Sequence, residues 1–344
     1  MRLYWPPGPN GNPTRAPLNK HERKTNPEHA FKQTLVSWSR KSEVHSAKFL
    51  REDGTHEHVA VKSVPLEAEH EKRVLEEFRQ LADLDHCHII AALGVFIEDQ
   101  IPGSARIGIL LFPLAPLNME QYLYMISDHN RACKPGIEWR MFHDMKVFVS
   151  YFACLCQAVI YLHDLDNPIK HRDIKPENIL IHGGTVILAD FDIAKQYTNR
   201  ELAYTEGPTH STPRYAPQNV KDEEPRGLEW DVVCLGFVFL EMASVMMGET
   251  MQDLIAALEN KYYSDALSSR LIHGWLKKLK LKATEQDNTQ WPRDCFMPHE
   301  KKATDEILMA KADRVRRRFC LRPGSAFLVF VRRTAATATL EEQM

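Results

Sequence analysis

Apolar positions set the first outline of the chain. Leu66, Val74, Phe78, Leu81 and Leu84 recur close to helical spacing amid many Glu and Arg, which predicts an amphipathic helix over 66–84. Before it, Val59-Ala60-Val61-Lys62 is a short β-prone run, and Arg106 to Phe112 returns to strand character. The stretch from about residue 30 to 115 therefore reads as strand-dominated with one helix. Beyond Pro116 the pattern turns helical: Met145, Phe148, Phe152, Leu155, Val159 and Leu162 step by three and four and predict a long helix with one buried face. Ile179-Leu180-Ile181 and Val186-Ile187-Leu188-Ala189 flank His182-Gly183-Gly184-Thr185, a hairpin with its turn. Asp231 stands where it caps an almost wholly apolar helix, Val232–Met242. Residues 1–28, rich in Pro, Asn and charge, read as a disordered tail. A β-rich front and a helical back predict an α+β chain of two lobes with a crevice between them.

Composition narrows the function classes. With 344 residues the chain is long enough to bury a sizeable core, and 44% hydrophobic with 26% charged residues is ordinary for a globular protein. The formal net charge of −2 supplies no global field toward nucleic acid or an anionic membrane, so neither is expected as a partner. Arg314 to Arg318 reads as a solvated helix face, and Trp275 to Lys282 is too short to read as a membrane-surface helix. Seven cysteines at irregular spacing argue against a disulfide framework and for a reducing compartment. The N-terminus lacks the apolar core of a signal peptide, and the longest apolar run, Val232 to Leu240, is too short to span a bilayer. The expected location is cytoplasmic or nuclear.

One stretch concentrates chemistry. His171-Arg172-Asp173-Ile174-Lys175-Pro176-Glu177-Asn178 lies between the long helix and the hairpin, where core elements hold both ends of a polar loop. Asp173, Lys175 and Asn178 supply a proton acceptor, a cation and a metal-ligating amide. Phosphoryl transfer needs such a set, because its catalysis is mostly positioning and neutralisation of phosphate charge.

The stretch resembles the catalytic loop of eukaryotic protein kinases, H-R-D-L-x-x-x-N. Other motifs fall in the family's order. Asp190-Phe191-Asp192 resembles the metal-binding D-F-G, and Val59 to Lys62 resembles the V-A-I-K strand. Glu77 opens a pattern running through Leu81, Leu84, His86 and Ile89 and resembles the helix Glu that orients that Lys, with Glu76 and Glu71 as alternatives. Ser211 to Gln218 is similar to the end of an activation segment, Asp231 to Gly236 to the start of the buried F helix, and Leu321 to Ala326 to the late R-P-x-A element. The block Thr205 to Thr209 is similar to segments in kinases of filamentous fungi.

The resemblance implies a bilobal protein-kinase-like α+β fold, with a small β-rich N-lobe bearing one helix over 29–115 and a larger, mainly helical C-lobe over 116–332. A C-terminal tail, 333–344, follows. It implies a serine/threonine protein kinase using ATP and Mg²⁺ on a protein substrate, with Lys175 giving the serine/threonine pattern. Asp173 takes or orients the hydroxyl proton, Lys175 stabilises the transferring phosphoryl, and Asn178 and Asp190 hold Mg²⁺. Lys62, oriented by Glu77, grips the nucleotide phosphates. Leu111 resembles the gatekeeper, with Ala60, Phe112 and Leu114 around the base. Arg172 beside the catalytic Asp implies control by phosphorylation of the activation segment, Thr205 and Thr209 being the acceptors and Thr212 a contact of Asp173 and Lys175.

Three positions depart from the pattern. The phosphate loop reads Ser37-Trp38-Ser39-Arg40-Lys41-Ser42-Glu43-Val44, with Ser37, Ser39 and Ser42 where the family has glycine. Serine resists the positive φ that glycine accepts, so weakened nucleotide binding is expected. Asp192 replaces the D-F-G glycine, and Gln218 replaces the A-P-E glutamate, with one residue missing between Tyr215 and Ala216. These departures leave a second expectation, a pseudokinase acting as a nucleotide- or protein-binding scaffold.

Overall fold

The structure, a computed structural model, describes residues 2–4, 34–38, 43–50, 56–98, 105–132, 145–199, 212–217 and 227–287. Ser39, Ser42, Thr205, Thr209, Gln218, the 314–326 stretch and the 333–344 tail lie outside these ranges.

The front of the chain builds one antiparallel sheet. Its strands are β1 (Arg2–Tyr4), β2 (Thr34–Trp38), β3 (Glu43–Leu50), β4 (His56–Pro65), β5 (Ala91–Glu98) and β6 (Arg106–Phe112), in the order β1-β5-β6-β4-β3-β2. Side chains alternate between faces along each strand. Ala47, Val59, Val61, Leu93, Phe96 and Leu110 form a buried apolar cluster on one face. The register pairs Val44 with Lys62 and Ala60 with Leu111, so these four share the other face. Ser37 stands opposite Val44 in the β2–β3 hairpin. The segment read as an N-terminal tail contributes an edge strand, Tyr4 pairing with Val95. Composition did not predict it, because what β1 meets is the unpaired backbone edge of β5, a requirement that a polar, Pro-rich count does not register.

Helix α1 (Ala68–Ala82) follows β4. It starts later than the apolar pattern, since β4 runs to Pro65 and the Leu66 N–H still donates to Ala105 O at 2.8 Å. Glu69 and Glu71 in its first turn complement the helix dipole, and Val74, Phe78 and Leu81 are buried along one face.

Next come β7 (Leu117–Asn118), α2 (Met119–Ala132), α3 (Met145–His163), β8 (Ile169–Lys170), a 3₁₀ turn at Pro176–Asn178, β9 (Ile179–His182), β10 (Thr185–Leu188) and β11 (Lys195–Gln196). The β9–β10 turn is made by Gly183 and Gly184 with φ of 56° and 75°, the left-handed pair that a two-residue hairpin requires. The hairpin bonds to the front of the chain, Leu188 donating to His88 O at 2.8 Å and accepting from Ile90 N at 2.9 Å. The chain accordingly groups into two compact units, one of 1–122, 151–211 and 225–231, the other of 123–150, 212–224 and 232–344.

Helix α4 spans Glu229–Met246, longer at both ends than the apolar run. Asp231 is therefore not its cap but sits in its first turn, with a carboxylate fully engaged elsewhere. In the second unit α5 (Met251–Ala257) is closed by a Thr250/Asp253 capping box, and α6 (Tyr263–Ser268) and α7 (Leu271–Asp287) follow. Their core joins Phe237, Leu240, Leu254, Tyr263, Trp275 and Leu279. The Trp275 to Lys282 stretch is thus a core-facing helix: Trp275 and Leu279 are buried, Leu281 faces outward, and Lys278 and Lys282 both pair with Glu249. Buried Glu241 accepts from Tyr215 Oη at 2.9 Å and from Tyr263 Oη, and Arg214 lies 3.6 Å away, which ties residues 212–217 to α4. No helix among the described residues is long and apolar enough to cross a membrane.

Candidate active site

Lys62 is the centre of the first constellation. It lies on β4, and its ammonium donates to both oxygens of Glu77, at 2.9 and 3.1 Å, and to Asp190 Oδ1 at 2.6 Å. Glu77 is on the inward face of α1, whereas Glu76 is exposed and pairs weakly with Arg79 at 3.5 Å. The phase argument for Glu77 over its neighbours therefore agrees with the geometry. Burial lowers the proton affinity of Lys62, but Asp190, Glu77 and Asp192 outweigh it and hold the ammonium well above its ordinary value. Glu77 feels burial most, and even with Lys62 against it is pushed up to about 6. Asp190 is held below the usual carboxylate range, because Lys62 overcomes the effect of burial.

The second constellation is the loop between β8 and the 3₁₀ turn. Lys175 donates to Asp173 Oδ2 at 2.7 Å, and Asn178 Nδ2 donates to Asp173 O at 2.9 Å and Oδ2 at 3.0 Å. Asp231 supports this loop from beneath. Its Oδ2 accepts from His171 N at 2.8 Å and its Oδ1 from Arg172 N at 2.8 Å, while His163 Nε2 bonds Oδ2 at 2.9 Å. These donors keep Asp231 ionised despite complete burial. They also hold two successive amides at the point where Arg172 has φ of 72°, a left-handed conformation that a bulky residue adopts only when its surroundings dictate it. The Arg172 guanidinium lies over the Trp230 ring at 6.0 Å. His171 is fully buried with its ring edge against Phe191, and burial keeps it neutral. Its Nε2 donates to Ala189 O at 3.0 Å, leaving Nδ1 to accept from Asp173 N at 3.4 Å.

Asp190 also has positive φ, 64°, and follows the strand that the glycine hairpin returns. Asp192 does not, so the residue at the expected glycine position needs no glycine backbone here. Its carboxylate is taken by Arg73 Nη2 at 2.8 and 3.1 Å. Asp231, His163 and Arg73 were not singled out from sequence as site-supporting residues. The one signal for Asp231 is an acid at the mouth of an apolar helix, which demands buried partners.

The donor set suits Mg²⁺. Asn178 Oδ1 and Asp190 Oδ2 make no hydrogen bond among the described residues, whereas the other polar side-chain atoms of both residues are bonded. Two hard oxygens are what this ion takes from protein when phosphates and water complete its shell. Among the described residues no group of three or more His, Cys, Asp or Glu forms a self-sufficient metal site.

Of the residues expected around a base, Ala60 pairs with Leu111 across the sheet, Phe112 ends β6, and Leu114 is half-buried beyond Pro113. Thr212 is half-buried and opens the turn to Tyr215.

The chain is similar to several proteins named as kinases. A serine/threonine-protein kinase of Caenorhabditis elegans, nekl-2, is 25% identical over 213 residues, 60% of this chain and 56% of that protein. A Drosophila melanogaster protein named as mitogen-activated protein kinase kinase kinase 7-like is 26% identical over 225 residues, 64% of this chain and 49% of its own length. A mimiviral protein named as a serine/threonine-protein kinase/receptor, from Acanthamoeba polyphaga mimivirus, is 30% identical over 171 residues, 49% of this chain and 9% of that protein. The chain thus spans from a tenth to about half the length of these relatives. The family model for the protein kinase domain matches residues 42–288, well over half of the sequence. The chain belongs to the eukaryotic protein kinase superfamily and has its α+β fold.

Proposed function

We propose that the chain is a serine/threonine protein kinase, transferring the γ-phosphate of ATP to hydroxyls of a protein substrate. The observation that carries this reading is Lys62 Nζ, bonded at once to Glu77 at 2.9 Å and Asp190 at 2.6 Å. That arrangement fixes the cation that grips phosphate beside the carboxylate that ligates the ion. Asp173 accepts or orients the proton of the attacking hydroxyl, and Lys175, 2.7 Å from it, stabilises charge on the transferring phosphoryl. Asn178 and Asp190 hold Mg²⁺, which when bound neutralises phosphate charge. Leu111, Ala60 and Val44 flank the base, with the Phe112 carbonyl and Leu114 amide meeting its edge. Phosphate on Thr205 or Thr209 docks on Arg172. A cytoplasmic or nuclear location accompanies this reading; its support is that the cysteines among the described residues, Cys87, Cys154, Cys156 and Cys234, form no disulfide.

The serines at 37, 39 and 42 favour one rival, a pseudokinase scaffold that binds nucleotide or protein without turnover. Purified chain with Mg–ATP and a generic protein acceptor separates them. The kinase gives phosphate transfer that falls by about 10³-fold in Asp173→Asn and in Lys62→Ala. Nucleotide-induced thermal stabilisation without transfer by the wild-type chain selects the scaffold instead.

A further inference from the structure

The D-F-G glycine position carries an acid, and the structure gives that acid a partner. Arg73 and Glu77 stand four residues apart on α1 and so face the same way. Asp190 and Asp192 stand two apart on the segment after β10. Glu77 reaches that segment through Lys62, which bonds Glu77 at 2.9 Å and Asp190 at 2.6 Å. Arg73 reaches it directly, bonding both oxygens of Asp192 at 2.8 and 3.1 Å. A third tie lies one turn further along the same face, where Gln80 Nε2 donates to Ala194 O at 3.1 Å. The Arg73–Asp192 pair is half sheltered, with side-chain exposures of 40% and 19%.

We propose that Arg73 and Asp192 are a positioning pair: an ionic clasp that holds α1, and with it Glu77, in register with the Asp190 segment. The inference rests on the nucleotide-site reading above and deepens it. A carboxylate at 192 without Arg73 adds a third negative charge to the surroundings of one ammonium, since Lys62 and Glu77 both feel Asp192. It then competes with Glu77 and Asp190 for Lys62. Arg73 removes that competition and turns the acid into a second link from helix to loop. Glycine leaves this segment free to rearrange; a clasped aspartate biases it to the arrangement in which Lys62, Glu77 and Asp190 meet.

A double-mutant cycle on the full chain tests the clasp. The variants are Arg73→Met, Asp192→Asn and their combination, with Arg73→Lys as the conservative control. The readouts are Mg–ATP affinity, KM and kcat for transfer, and hydrogen exchange of the α1 amides. Each single change is expected to weaken Mg–ATP binding by about 5-fold, chiefly through KM, and to speed α1 exchange. The double variant is expected to lose no more than the worse single, and Arg73→Lys to keep most of the affinity. Asp192→Gly falls with Arg73→Met rather than above the wild type. Additive losses in the double variant, unchanged α1 exchange, or tighter Mg–ATP binding in Asp192→Gly overturn the clasp. Affinity and exchange decide this without turnover, so a wild-type chain that binds Mg–ATP and transfers nothing overturns only the catalytic reading.

Discussion

Glu77→Gln separates what the site needs from what the fold needs. Glu77 is 3% exposed and its carboxylate carries the two bonds from Lys62. Counting contacts suggests that losing this ion pair destabilises the fold. The proton affinity says the opposite. Burial raises Glu77 from an ordinary 4.5 up to about 6 even with the ammonium beside it. At 1.36 kcal/mol for each tenfold in proton affinity, the ionised form is held in the folded chain at a cost of about 2 kcal/mol. The sign follows from linkage. Between about pH 4.5 and 6 the folded state binds more protons at this position than the unfolded one, so its contribution to stability falls as pH rises through that window. Glutamine keeps the shape and an acceptor for Lys62 and lacks the charge.

Urea unfolding of both chains at pH 4.5, 6 and 7.5 reads this out. The two should have similar stability at the acidic end. The variant should gain relative to the wild type as pH rises, by up to about 2 kcal/mol at pH 7.5. Phosphate transfer should move the other way and fall by about 10-fold or more, because Lys62 loses the partner that fixes its direction. A variant destabilised at pH 7.5 relative to wild type, or a difference between the chains that does not change with pH, refutes the reasoning. Such a result means that the Lys62–Glu77 attraction exceeds the burial term.

Three further outcomes follow from the surroundings of the site. Asp231→Ala leaves the His171 and Arg172 amides and His163 without their shared acceptor, so chemical unfolding should show a loss of about 3–5 kcal/mol. Burial holds His171 below its ordinary 6.5, so the unfolded chain takes up the proton first and stability should fall as pH drops below about 6.5; His171→Gln should flatten that slope in a pH series of thermal melts. Gly108 faces the Lys62 carbonyl and the Phe96 ring, the ring atoms 2.7 Å from where a Cβ would stand. Gly108→Ala should cost about 1–3 kcal/mol and weaken Mg–ATP binding by displacing β4, checked by unfolding and nucleotide titration together.

How far these groups were legible before the structure depends on the distance over which each acts. Asp173, Lys175 and Asn178 lie within one loop, and their mutual bonds are local, so motif spacing identifies them. Lys62, Glu77 and Asp190 were reachable because a strand, a helix phase and a strand end each carry their own pattern. By its sequence Asp231 reads as a helix cap, a common fate of an acid before an apolar run. Its carboxylate instead serves amides 60 and 59 residues earlier, and nothing local announces them. Arg73 and Asp192 are 119 residues apart. Asp192 stood out as a departure from glycine, but Arg73 had only its four-residue spacing from Glu77 to mark it. Strand β1 was missed for a similar reason: pairing at a sheet edge recruits backbone, and composition speaks only for side chains.

The charge arrangement accounts for an acid at the expected glycine position. One ammonium, Lys62, serves Glu77 and Asp190 and feels Asp192, so without Arg73 three carboxylates surround a single cation. Such an excess of negative charge repels a triphosphate, yet it is the right field for a divalent cation that arrives with the nucleotide. Glycine at 192 keeps this excess to two carboxylates by having no side chain; here Arg73 achieves the same by neutralising one. The acid and its arginine are therefore a matched pair rather than a defect beside an accident. The serines at positions 37, 39 and 42 are a different kind of change, because serine adds no charge to the field at Lys62. Loss of loop glycines and the charge balance around Lys62 are therefore separable, and it is the second that Arg73 and Asp192 act on.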